Sequence, residues 1–290
     1  MVLPFSYDNS TERAKIKKLE LAIQMGVEER QNYDPVDLAV DIYQTTGGDD
    51  PIMTQADYAA DSHMRPTEVK KYYDGAAYMK KFLEFIGAPE NNFNIIKESK
   101  VWSLFLEMGK SLSKNFGDDS ESQVRKNETM NSYFGVILYQ MHVGVSGNTA
   151  RTHIREYGKN VVNSVDNEDF NDDVADIVDD LSESLQDDEI HTTSDLMQSL
   201  TDENDTVEAL GDTFDTYMRN ARNSESVDKF IRNIKQNVKY YHDLNEDGGL
   251  IGSLRYNEVS EDQLKELQKY MRDLNQLSKE LFSKYGDEIR

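Results

Sequence analysis

The stretch Thr54-Gln55-Ala56-Asp57-Tyr58-Ala59-Ala60-Asp61-Ser62-His63-Met64-Arg65-Pro66-Thr67-Glu68-Val69-Lys70-Lys71-Tyr72-Tyr73 decides how the chain is read. Thr54 stands where a helix N-cap is wanted, and Pro66 suits the first position of a second helix. Two short helices that cross steeply need a small residue where they touch, here Ala59. They also need apolar residues facing back from the second helix, here Val69 and Tyr72. Residues 54–73 therefore fit a helix-turn-helix, with Arg65, Thr67, Lys70 and Lys71 on the outward face. In such a unit the leading end of the second helix meets base edges in the major groove while neighbouring cations meet phosphates. Lys80 and Lys81 add positive charge, and between Arg65 and Lys81 only Glu68 and Asp74 oppose it. One position departs from the pattern. His63 stands where glycine usually makes the turn, and a Cβ makes a left-handed backbone costly. The competing reading is an ordinary pair of helices with Lys70 and Lys71 on a solvated face.

Apolar residues recur at helical spacing through most of the chain, and alternating strand patterns are scarce. Ile16, Leu19, Leu21, Ala22 and Met25 predict a first helix ending near Gly26. Tyr33-Asp34-Pro35 then starts a helix over about Val36 to Tyr43. A short helix from Arg65 or Pro66 follows the turn, with the pattern extended by Tyr78, Phe82, Phe85 and Ile86 to Gly87. Ile95 through Leu112 marks one further helix, and Gly117 to Asn127 reads as a polar linker. The most apolar run, Tyr133 to Tyr139, fits a buried helix or a strand, and is taken as helix. Ile154 to Val162 continues the helical pattern, and Val174, Ile177, Val178, Leu181 and Leu185 form an apolar stripe on an acidic segment. Val227 to Tyr241 marks one late helix. Leu264, Leu267, Met271, Leu274, Leu281 and Tyr285 mark the last. The expected fold is all-α: a helical domain over 1–116 containing the helix-turn-helix, a middle segment over 128–164, an acidic helical or partly mobile segment over 165–218, and C-terminal helices over 225–290.

Glu28-Glu29-Arg30-Gln31-Asn32-Tyr33-Asp34-Pro35-Val36-Asp37-Leu38-Ala39-Val40, followed by the unit at Thr54, resembles the ParB-type partition proteins. In that family an Arg-containing stretch and a Pro–acidic–Ala helix precede the helix-turn-helix. The likeness covers roughly residues 15–110. It implies double-stranded DNA as partner, a centromere-like site, and Gln55, Arg65, Thr67, Lys70 and Lys71 as contact residues. The family's N-terminal nucleotide-binding domain has no counterpart in this sequence, so nucleotide binding and clamp sliding are not expected.

The net charge of −23 is unevenly placed. Residues 1–160 carry 19 Lys+Arg against 23 Asp+Glu, whereas residues 161–290 carry 13 against 32. No Lys or Arg falls between Lys159 and Arg219. Such a segment reads as a solvated helical face, as a surface that docks a basic protein partner, or as a mimic of nucleic-acid phosphate.

The absence of cysteine excludes disulfide frameworks, thiolate metal sites and thiol nucleophiles, and the cytoplasm is the expected compartment. No run approaches the apolar length of a membrane span, and no membrane partner is expected. Asp243 to Leu250 reproduces the first half of a calcium loop, but Leu254 stands where the bidentate carboxylate belongs. His63, His142, His153, His191 and His242 lack metal-ligand spacing. With no nucleophile elbow or phosphate-binding glycine loop, neither an enzyme active site nor a cofactor is expected. The function read from the sequence is that of a DNA-binding partition or regulatory protein of a plasmid, phage or chromosome. A homodimer through the last helix accompanies it, and the alternative is a helical interaction protein with a docking acidic surface.

Overall fold

A computed structural model describes residues 10–24, 34–48, 50–164, 166–246 and 260–285. Every regular element among them is helical: α1 (Ser10–Gln24), α2 (Pro35–Thr46), α3 (Gln55–Asp61), α4 (Pro66–Phe85), α5 (Asn94–Glu98), α6 (Trp102–Asn115), α7 (Ser120–His142), α8 (Gly147–Tyr157), α9 (Asp166–Asp187), α10 (Thr193–Asp202), α11 (Asn204–Glu246) and α12 (Glu261–Tyr285). A single π-helical turn, Gly158–Val162, extends α8. The chain forms two compact units, residues 1–223 and 224–290. Segment 28–33 of the family-like stretch and residues 247–254 of the calcium-like loop lie outside the described residues, as do Met25 and Gly26.

Helix α7 is the axis of the first unit. Tyr133, Phe134, Val136, Ile137 and Leu138 are all buried, on every side of the helix, because α6, α8, α9 and α10 pack around it. A helix that is apolar all round requires such a jacket. Phe134 meets Phe82 of α4 with ring centroids 5.5 Å apart and Phe105 of α6 at 6.4 Å, and Phe82 meets Phe105 at 5.2 Å. A second aromatic series runs from Tyr133 to Tyr157 (4.7 Å), and from Tyr157 to Phe170 of α9 and Phe214 of α11.

Several sequence expectations are corrected. The supposed linker at Gly117–Asn127 supplies the first two turns of α7, because the Asp119 carboxylate caps the helix by accepting from Ser122 N–H at 2.9 Å. Those turns are polar because they project into solvent. The single helix over Ile95–Leu112 is two, broken where Lys100 takes φ 59°. The boundaries drawn at 116–128 and 164–165 do not divide the molecule. One continuous core joins Phe82, Phe134, Val178 and Leu210, so the acidic segment belongs to the same compact unit as α3 and α4.

Val174, Val178, Leu181 and Leu185 bury the apolar stripe of α9, while Asp172, Asp173, Asp176, Asp179 and Asp180 stay exposed. Its register against α7 is set by a buried polar quartet. Asn167 and Asn171 donate to the Thr129 hydroxyl at 3.1 and 3.0 Å, and Ser132 donates to Asn171 at 2.8 Å. At the end of α4, Gly87 adopts φ 67°, and a Cβ there would lie 2.6 Å from the Gln186 backbone of α9. Ser182 of α9 donates to the Phe85 carbonyl at 2.8 Å.

Truncating the ring shared by α4, α6 and α7 tests this architecture. Phe134→Ala is expected to cost about 3–5 kcal/mol in urea unfolding followed by circular dichroism. A loss below about 1 kcal/mol would contradict a central position for Phe134.

Candidate nucleic-acid interface

The turn between α3 and α4 is built from the residues that the sequence singles out. Thr54 caps α3, accepting from Asp57 N–H at 3.1 Å, and α3 ends at Asp61. His63 takes φ 55°, so a non-glycine residue does adopt the left-handed turn. Met64 N–H returns to the Ala59 carbonyl at 3.1 Å and closes the end of α3 in the manner of a Schellman motif. Ala59, Tyr58 and Val69 are buried together with Leu21, Ile42 and Met53, and Met64 and Tyr72 pack against them. Asp41 of α2 fixes α3 from behind by accepting from the Tyr58 hydroxyl at 2.7 Å and from Lys17 of α1. Burial lowers the proton affinity of Lys17, and the Asp41 hydrogen bond and charge outweigh that effect and raise it.

The second helix is not short. α4 runs unbroken for 20 residues, so its leading turn is exposed while Ala76 to Phe85 enter the main core. Arg65 is its N-cap residue and 77% exposed, held by Glu68, whose carboxylate accepts from the guanidinium at 2.8 Å. That hydrogen bond first, then the charges, hold the Glu68 carboxyl below and the Arg65 guanidinium above their ordinary ranges. Thr67, Lys70 and Lys71 are exposed, and Gln55 is half-buried at the start of α3. Lys70 pairs with Asp74 at 3.1 Å.

Thr67, Lys70 and Lys71 share a groove of about 400 Å³ with Lys110 and Lys114 of α6. Its apolar floor includes Leu106 and Gly109. Gln55 and Arg65 do not line it. The groove exists because α4 and α6 cross closely: Leu106 occupies the space a Cβ on Gly75 would need, and a Cβ on Gly109 would meet the Tyr78 ring at 3.0 Å. Lys110 and Lys114 are absent from the sequence-derived set. Their four-residue spacing on a helix was visible, but the identity of the helix across from them was not.

Further along α6, Glu107 is 8% exposed and accepts from two arginines of α8: Arg151 through Nε at 2.7 Å and Arg155 through Nη2 at 3.1 Å. Burial pushes the Glu107 carboxyl up. The hydrogen bonds and charges of Arg155 and Arg151 more than offset that and hold it below the usual carboxylate range.

No group of three or more His, Asp or Glu side chains able to hold a metal occurs among the described residues, and none of the described helices is long and apolar enough to cross a membrane. The chain matches no protein-family model, no curated protein and no solved structure.

His63 gives a direct test of the turn. Replacing it by glycine removes a left-handed cost of about 1–2 kcal/mol against about 0.5–1 kcal/mol of added chain entropy. His63→Gly should therefore raise urea-unfolding stability by about 0.5–1 kcal/mol with helicity unchanged. A destabilised variant would contradict the left-handed turn.

Proposed function

We propose that this chain is a non-enzymatic protein that binds double-stranded DNA at a specific site, in a partition or regulatory role. The observation that carries the reading is the left-handed turn at His63, which sets an exposed, cation-bearing leading end of α4 against a rigid α3. Arg65 and Thr67 stand at that end, where such helices meet base edges, and Lys70 and Lys71 follow one turn later, where phosphates lie. The same partner is what the resemblance of residues 15–110 to ParB-type proteins, read from the sequence, implies. The long-range field of a −23 chain repels DNA, so approach is directed to the face where cations cluster.

Selection of bound duplexes from a random pool at two salt concentrations is the primary test, and enrichment of one sequence is expected. Arg65→Ala/Lys70→Ala/Lys71→Ala should weaken binding to that sequence at least about tenfold, or 1.4 kcal/mol, with the circular dichroism unchanged. Unaltered affinity would remove α4 as the reading helix.

The second unit supports pairing of two such chains. In α12, Tyr270, Met271, Leu274, Leu277 and Phe282 are 47–80% exposed, whereas an apolar stripe of this length calls for a partner. Leu264, Leu281 and Tyr285 continue the pattern, although their side chains lie outside those described. A second copy fits this face because α12 carries five acidic and five basic residues. It is a charge-balanced surface on a strongly acidic chain, so two copies meet there without net repulsion. Balance also argues against an anionic membrane, which attracts helices rich in Lys and Arg. Light scattering should report a dimer for the intact chain and a monomer for Leu274→Asp. A monomeric wild-type chain at all concentrations would refute the pairing.

A further inference from the structure

We infer that the DNA-contact surface continues from α4 across α6 to α8, where Lys110, Lys114 and the paired Arg151 and Arg155 seat the sugar–phosphate backbone beside the groove that α4 reads. This rests on the DNA reading above and adds a second set of contacts to it.

Three observations carry it. Lys110 and Lys114 converge with Lys70 and Lys71 on one groove, an arrangement that brings four ammonium groups from two helices together at a mutual electrostatic cost. Asp74 also lines the groove and pairs with Lys70, and Glu68 lies within the field of Lys71, yet among the described residues Lys71, Lys110 and Lys114 form no salt bridge, so cations outnumber carboxylates there. An apolar floor under a cationic rim suits a deoxyribose–phosphate strand, whose sugars present carbon and whose phosphates present charge. Second, Glu107, Lys110 and Lys114 lie at i, i+3 and i+7, on one face of α6, so the anchor of the two arginines lies in line with the two lysines. Third, that anchor is nearly buried while its arginines are 39% and 56% exposed. Glu107 thus acts as a positioning residue. It fixes two guanidinium groups by one edge and leaves other N–H donors turned to solvent, an arrangement that presents planar forks to phosphate at reduced entropic cost. Nothing in this strip distinguishes one base from another, so its contribution is to affinity and register rather than sequence choice.

The experiment is a salt titration of duplex affinity by fluorescence anisotropy, using the intact chain and the duplex enriched by selection. Each phosphate neutralised contributes about 0.9 to the slope of log affinity against log salt. Lys110→Gln/Lys114→Gln should make the slope shallower by about 2 while leaving the preference for the selected duplex over a scrambled one unchanged. Lys110→Arg/Lys114→Arg should restore the wild-type slope. Arg151→Gln/Arg155→Gln, which also loosens α6 against α8, is paired with Glu107→Gln. The glutamine at 107 keeps the cations but frees them, and should lower affinity with the slope nearly unchanged. Wild-type slope in the Lys110→Gln/Lys114→Gln variant overturns the inference while leaving the DNA reading intact. Loss of sequence preference in that variant places the lysines at base edges and also overturns it. A wild-type chain that binds no duplex at low salt overturns both.

Discussion

Mutual packing of Phe82, Phe105 and Phe134 is the constraint on which the remaining geometry depends. These rings come from α4, α6 and α7, and they lie at the centre of a core that admits few voids. α4 is therefore clamped at its C-terminal half, and its leading turn reaches solvent beyond the packing of Val69 and Tyr72 against the α1–α3 cluster. A 20-residue helix is about 30 Å long, so fixing one half fixes the direction in which the other points. Locking α6 to the same rings fixes Lys110 and Lys114 relative to Lys70 and Lys71 without any contact among the lysines themselves. Their proximity is imposed by apolar burial elsewhere, which is how a rigid fold holds like charges together against repulsion.

The small cluster under α3 does complementary work. Asp41 ties α1 and α3 to α2 through Lys17 and Tyr58, and Ala59 lets α3 approach α4 near Val69. A seven-residue helix has little stability of its own. α3 persists because Thr54 caps one end, the Met64-to-Ala59 bond closes the other, and three helices supply its packing. His63 holds the left-handed backbone with its side chain exposed, so its cost is the local one that a glycine there would remove.

Much of this was legible in the sequence where the signal is local. Thr54, Asp34-Pro35 and Pro66 mark helix starts because capping and proline geometry act over three or four residues. The stripe on α9 was legible because burial on one face enforces helical spacing. Polar turns at the start of α7 were misread, since a solvent-facing helix and a linker can share a composition, and only the cap at Asp119 separates them. The limits drawn at 116–128 and 164–165 failed for a different reason, while the one before 225 matches the second unit: charge describes the outside of a helix, whereas unity of a core depends on the inside. Gly75 and Gly109 carried the clue to the groove, but small residues reveal close approach without revealing which helix approaches.

The acidic segment docks onto the rest of the first unit largely through uncharged contacts. With no Lys or Arg from residue 160 to 218, its carboxylates have no cation within their own segment. α9 instead docks through leucines and valines, the Asn167–Asn171–Thr129–Ser132 network and the Ser182 bond to α4. Exposed carboxylates at three- and four-residue spacing repel one another along α9, and salt relieves that repulsion over a screening length of about 10 Å at 0.1 M. If the cationic groove seats phosphate as proposed, it responds in the opposite direction, since salt competes with phosphate for lysines. Ionic strength thus acts on the two halves with opposite signs. Raising it steadies the acidic helices that buttress α4, and under the proposed DNA reading it would weaken the grip of α4 and α6 on a duplex, so tight binding and a relaxed acidic face would belong to different ends of the same salt axis.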